Sequence, residues 1–318
     1  MKKLLLYTFI ISVVFLSSCS KDSSSNGTTG GGGNNTTIAK KIGDIYRAED
    51  SYDYVSYDNG QTWEQIGHYV SDNRLFERWH WNDEKITSLD HYFNGQYEYT
   101  YDFSYNSEGL VSQIIRDWEG VERIAITYNN KVLNKFEAYW DGIMQSAWRF
   151  EYSNGKISKI RCEYWNPDEL TASHCDLLFT LLKIDVKKIA DGSLSKDQLP
   201  IIELTWSGNN VRKMEYNFPE STFVESYVYD NKKNPYYGGN TLFATILIDD
   251  DFSKLSENNI SYRTSTENGE TYNYSYSYNY YEDYPMRMSY TSEYTHTSSG
   301  SMYKYVDTYT YSYSYLTE

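Results

Sequence analysis

The chain has 318 residues, 23% of them charged and 40% hydrophobic, with a net charge of −15 and a mean hydropathy of −0.70. That acidity excludes recognition of nucleic acid through its phosphates and a second, electrostatic hold on anionic lipid. The length is ample for a large core or one extended sheet, and 36 tyrosines beside 8 tryptophans make aromatic rings the main packing material.

The amino terminus opens with Lys2 and Lys3, followed by an apolar run over residues 4–16 that is too short to span a bilayer stably. This reads as a secretory signal. It ends in Leu16-Ser17-Ser18-Cys19, which resembles the lipobox of bacterial lipoproteins. The resemblance implies a signal peptide over residues 1–18 and a diacylglycerol on the Cys19 sulfur. Losing the two leader lysines takes the net charge from −15 to −17. Residues 19–39 are almost free of apolar side chains and read as a flexible Ser/Gly/Asn/Thr tether, with a mean reach of roughly 25 Å. Ser20-Lys21-Asp22 resembles the export tags of Bacteroidota surface lipoproteins, which tilts the expected address in the outer membrane toward the cell surface and away from a periplasm-facing orientation. The lipid anchor is the only membrane contact expected.

From residue 40 the text repeats. An aromatic residue precedes a polar turn at Tyr57, Trp81, Tyr105, Tyr128, Tyr152, Trp206 and Tyr229, at steps of 24, 24, 23, 24, 54 and 23. Before each aromatic, side chains alternate, as in Phe103-Ser104-Tyr105 and Ile126-Thr127-Tyr128, which is the period of a strand. A second class of turn falls midway: "FNG" at 93–95, "WEG" at 118–120 and "WDG" at 140–142. Asn-Gly and Asp-Gly supply the positive φ that tight hairpins need. Each repeat of about 24 residues therefore holds two strands of roughly 8 residues each, and neighbours bury one another. The expected domain over 40–318 is all-β, a long antiparallel meander forming a curved single-layer sheet or open half-barrel.

The one long step marks an insertion over about 165–199, with "LLKIDVKKI" in it reading as a strand and "DELTASHCDLLFTLL" as a short helix or an irregular segment. Cys162 and Cys175 flank its first part. Outside the cytosol they are either a disulfide or two separate thiols.

Motifs with chemical meaning are few. "SYDNGQTW" at 56–63 fits the Asp box of sialidases, but it occurs once, in an ordinary turn slot, and reads as a well-made hairpin turn. His68, His80, His91, His174 and His296 show no ligand spacing, and His80 in "WHW" lies on the face opposite both indoles. Asp249, Asp250 and Asp251 read as a solvated acidic turn. No catalytic set, metal site or cofactor is expected.

The last 47 residues hold fifteen of the 36 tyrosines. Tyr272, Tyr274, Tyr276, Tyr278 and Tyr280 share one strand face, Tyr290 and Tyr294 the next, and Tyr303, Tyr305, Tyr309, Tyr311, Tyr313 and Tyr315 a third. This face is either a wall of packed rings or a platform for a glycan or a protein partner. The candidate binding residues are Tyr272, Tyr274, Tyr276, Tyr278, Tyr280, Tyr309, Tyr311 and Tyr313.

The repeats, with "YVYDNKKNPYYGG" followed by "LSENNI", resemble a family of Bacteroidota lipoproteins without an assigned activity, whose strands are similar to the tyrosine-aspartate repeats of secreted toxins. The matching positions are Tyr229, Asp230, Asn231, Lys232, Asn234, Pro235, Asn258 and Asn259. The resemblance implies a porin-like fold and carries no catalytic residue. The expected function is a non-catalytic outer-membrane lipoprotein that binds a glycan or a protein partner through a concave aromatic face. The alternative is a half-barrel carrier or chaperone-like protein sheltering a lipid or peptide.

Overall fold

The computed structural model describes residues 40–118, 120–165, 199–218, 221–237, 252–267, 270–298 and 300–316. Cys19, the tether, Cys175 and Asp249 to Asp251 lie outside the described residues, as does the insertion over 166–198.

Sixteen described strands follow one another: β1 (Ile42–Ser56), β2 (Glu64–Asn82), β3 (Lys85–Phe93), β4 (Gln96–Tyr105), β5 (Val111–Asp117), β6 (Val121–Asn129), β7 (Val132–Trp140), β8 (Ile143–Ser153), β9 (Lys156–Trp165), β10 (Ile201–Ser207), β11 (Asn210–Phe218), β12 (Ser221–Lys233), β13 (Asn258–Glu267), β14 (Glu270–Tyr281), β15 (Tyr284–Ser298) and β16 (Ser301–Tyr315). Each pairs antiparallel with its neighbours in sequence, and β1 also pairs with β16, from Ile42↔Tyr315 to Ser56↔Met302. The meander is as expected, but the sheet is a closed barrel and not the open half-barrel or curved sheet. Closure satisfies both outer strands, which would otherwise present unpaired backbone donors and acceptors.

The barrel has two distinct ends. The base carries Ile42, Tyr315 and the turns that follow the even strands. The rim carries the turns that follow the odd strands. Asn94-Gly95 and Asp141-Gly142 turn at the rim and Asn154-Gly155 at the base, all with both residues at positive φ, as two-residue hairpins require. The strands are unequal: β5 has 7 residues and β7 has 9, but β1, β15 and β16 have 15 and β2 has 19. One wall, β14 through β2, therefore stands taller than the rest.

Every hairpin is fastened at the base in the same way. The aromatic near the end of the even strand reaches across the interior edge to a backbone carbonyl at the start of the strand before it. Trp81 donates to Ile42, Tyr105 to Ile86, Tyr128 to Val111, Tyr152 to Leu133, Trp206 to Ile157, Tyr229 to Val211, Tyr278 to Ile260 and Tyr315 to Pro285, all at 2.6–2.8 Å. In six of the eight, a register shift lies directly before the aromatic, as at Ser104/Tyr105 and Thr127/Tyr128. Such a bulge re-aims a side chain that strict alternation would point elsewhere. Tyr57 is not one of these fasteners. It lies at the rim and is exposed, so the first step of 24 aligned a rim residue with a base residue.

Inside, one continuous core runs round the barrel, with Ile86, Leu89, Ile114, Leu133, Trp148, Met214 and Tyr311 among its fully buried members. The connector from β12 to β13 turns inward at the base. Asn234, Tyr236 and a short 3-10 turn, Phe252–Leu255, are all buried there. Asn234 is held by Lys254 and Ser256 carbonyls, and Tyr236 meets Tyr313 edge to face at 6.4 Å. Many outward positions are charged. Lys135, Arg149, Lys159, Arg161 and Lys213 pair with Glu137, Glu163, Glu203, Glu151 and Glu215, in alternation with buried Phe136, Phe150, Ile160, Cys162 and Met214. A barrel in a bilayer shows lipid an apolar band at these heights.

Candidate functional site

The tyrosine-rich strands β14, β15 and β16 turn most of their tyrosines inward on the tall wall, with Tyr281 exposed. Exposure along this face changes with height. Near the base Tyr311, Tyr313 and Tyr290 are buried, with Tyr290 between Tyr276 and Tyr309 at 5.3 Å from each. Tyr278 is spent on its base fastener, and Tyr280 donates to Asp230 and accepts from Asn259. Tyr274 takes the Arg263 guanidinium over its ring at 4.1 Å. Seven of the eight expected binding residues, all but Tyr272, are therefore held in a packed wall.

Tyr272 is the exception. Its ring lies nearly parallel to Tyr294 at 5.7 Å, and Tyr294 lies nearly parallel to Tyr305 at 6.1 Å. Tyr294 is 40% exposed, whereas Tyr290, four residues down the same strand face, is 2% exposed. Tyr305 pairs in register with Asp53 of β1, and Asp53 with Gly67 of β2. A methyl at Gly67 would sit 2.6 Å from the Asp53 carboxylate, so glycine leaves room for that side chain. Three rings and a carboxylate thus form a level row near the rim. Burial and the Asp53 charge push the Tyr305 phenol up.

Below this row lie groups that the sequence reading did not single out. Arg47 of β1 lies under the Phe76 and Tyr309 rings, 5.0 and 5.2 Å from their centroids, and contacts Glu49 at 3.3 Å. His91 of β3 stacks on Tyr99 at 4.7 Å, and its Nδ1 lies 3.2 Å from a Glu98 carboxylate oxygen. Burial, with Arg47 and Arg116 nearby, holds the imidazole below its ordinary value. Arg116 of β5 is buried beneath Tyr99, Tyr101 and Trp118 and pairs with Glu122 at 2.8 Å. Each occupies an ordinary alternating slot. The available signal was a run of charges, Arg47, Glu49 and Asp53, on the same face as Ile45 and Val55.

Other expected features are placed plainly. Asp58 accepts from Ser56, from the Thr62 hydroxyl and from the Thr62 amide, and these bonds hold its carboxyl down at about 2. That is a hairpin-turn network, as the Asp box was read. His80 points outward to Asp90 at 2.7 Å, opposite the stacked indoles of Trp79 and Trp81. Cys162 is a buried free thiol, pushed up to about 12 by burial, and its candidate disulfide partner Cys175 lies outside the described residues. Among the described residues no cluster of His, Cys, Asp and Glu has the geometry to hold a metal ion.

No protein-family model and no curated protein matches the chain. Among solved structures it is similar to a porin-like protein from Bacteroides uniformis ATCC 8492, at 10% identity and a TM-score of 0.44, covering 84% of this chain and 97% of that one. It is also similar to a porin-like protein from Bacteroides vulgatus ATCC 8482, at 9% identity and a TM-score of 0.34, covering 88% and 100%.

Proposed function

We propose that the protein is a non-catalytic, lipid-anchored outer-membrane protein that binds a glycan on the rim half of its inner tall wall. The observation that carries this reading is the break in exposure along one face: rings that are sealed at Tyr290 and Tyr311 become accessible at Tyr294. A row that served only as packing has no need of accessible rings at its top. Aromatic faces recognise the apolar patches of sugar rings, and tyrosine is favoured on recognition surfaces because it loses little conformational entropy. Asp53 and Asp307 on the same wall supply acceptors for sugar hydroxyls. The carrier alternative is less well supported, because a carrier needs an aliphatic lining, and the aliphatic side chains here are packed in the core.

Anchoring at Cys19 fits the charged outer face, which suits water better than lipid. The folded domain begins with Ile42 at the base, the end opposite the glycan row. Surface display over a periplasm-facing orientation rests on Ser20-Lys21-Asp22.

The test is a glycan array probed with wild type and with Tyr294→Ala and Tyr305→Ala. At least one glycan is retained by wild type and lost by both variants, while their melting temperatures stay within about 2 °C of wild type, as expected when half-exposed side chains are truncated. Retention of every hit by both variants sinks the row as the site.

A further inference from the structure

Where β1 and β2 rise above the short β3–β4 hairpin, they leave a small open cleft. Its charged lining is Arg47, Glu49, Arg74 and His91, with Phe76 and the Asn94-Gly95 turn completing the walls. Two features of this lining are unusual. Arg47 and Arg74 stand directly opposite each other across the β1–β2 ladder. Like charges in that position repel and cost stability. Glu49 offsets one of them, through its 3.3 Å contact with Arg47, and is itself fixed by the Ser51 hydroxyl at 3.0 Å. Among the described residues Arg74 makes no ion pair, and it is exposed to the cleft mouth. The two arginines against one glutamate leave the lining positive on a chain of net charge −15.

The second feature is His91. It is 3% exposed, and with Nδ1 turned to Glu98 its Nε2 has no hydrogen-bond partner among the described residues. Buried polar atoms are normally satisfied, so this sealed, unpaired nitrogen is an unusual feature of the cleft wall.

We infer that this cleft is a carboxylate subsite, and that the glycan held by the tyrosine row carries an acidic sugar, a uronate or a sialate unit. Planar guanidinium forks match a carboxylate in two parallel hydrogen bonds, and two opposed forks relieve their mutual repulsion when an anion lies between them. Along β1, Arg47 is six residues from Asp53, about 20 Å at 3.3–3.4 Å per residue, so a ligand reaching both is an oligosaccharide lying along the wall. The arginines, not the surrounding acids Glu49, Asp53 and Asp307, select the charged unit. The acids accept from the neutral hydroxyls along its length.

The inference rests on the glycan reading, and the experiment separates the two. An array of uronate- and sialate-bearing oligosaccharides is probed beside the same set with carboxyl groups reduced to alcohols, using wild type and Arg74→Gln. Wild type retains at least one acidic glycan and binds its reduced form at least tenfold more weakly. Arg74→Gln loses at least tenfold on the acid and little on the alcohol, and raising the salt concentration weakens only the acid. Equal binding of acid and alcohol, hits confined to neutral glycans, or an unaffected Arg74→Gln overturns the carboxylate subsite and leaves the glycan reading standing. Absence of any glycan hit overturns both. If Arg74→Gln melts lower than wild type, the acid-against-alcohol comparison on wild type decides alone.

Discussion

Tyr128 and Tyr311 both bury most of their rings, yet loss of the hydroxyl should affect them differently. The Tyr128 hydroxyl donates to the Val111 carbonyl at 2.8 Å, and removing it leaves that buried acceptor short of a partner. Tyr128→Phe should cost about 1 kcal/mol, within the range for a single intramolecular bond. The Tyr311 hydroxyl has no hydrogen-bond partner among the described residues, so Tyr311→Phe should be neutral or slightly stabilising. Parallel urea unfolding of the two variants checks the contrast. An equal loss in both would remove the base fasteners as a distinct stabilising element. The fasteners explain why aromatic residues were visible in the sequence at so regular a step. A phenol or indole is the side chain long enough to reach a carbonyl at the start of the neighbouring strand and still pack on the way, as Tyr105 and Tyr152 do. Their partners were not visible, because a backbone carbonyl carries no sequence signature. The misplacing of Tyr57 has the same origin: its turn looks like the others, and only the bond to a carbonyl tells base from rim.

At the scale of an element, the inward connector between β12 and β13 makes a specific demand on Glu77. This carboxyl is fully buried on β2, accepts from the Trp79 indole at 3.2 Å and faces the Lys254 side of the connector. Burial raises its pKa to about 8, against an ordinary 4.5. Between those two values the folded protein keeps a proton that the unfolded chain has released. Stability from this group therefore falls as pH rises from about 4.5 to about 8, at up to 1.36 kcal/mol per unit. Glu77→Gln cannot titrate and keeps an oxygen for Trp79, so its stability relative to wild type should climb across that window. Denaturation midpoints at pH 5, 6, 7 and 8 measure the difference, and a flat difference would count against a protonated Glu77. The burial of Glu77 was hidden in sequence by the register shift beside it. Phe76 and Glu77 are both buried although adjacent, which strict alternation forbids.

For the whole molecule, an outer surface carrying paired charges and the lipid proposed on Cys19 make a joint prediction. The Cys19→Ala protein should leave the membrane fraction and stay in buffer without detergent, whereas a barrel embedded by its strands would remain in the pellet with or without the lipid. Fractionation of the two forms, scored by immunoblot, distinguishes them. The repeat and the turns were legible because each is a local pattern. Closure was not, because the β1–β16 ladder joins residues such as Asp44 and Ser314 that are 270 positions apart, and neither strand differs in composition from one that would end a sheet. That seam also sets an order of events. Most hairpins, with their fasteners, can form as soon as their own residues are available, since their contacts are close in sequence. The ladder between β1 and β16 must wait for the last strand and for fourteen others to bring the ends together. Contacts of such separation are slow to make. Under the proposed export through its amino terminus, the chain would cross as a string of local hairpins or as open coil, and become a ring only after its final residues had followed.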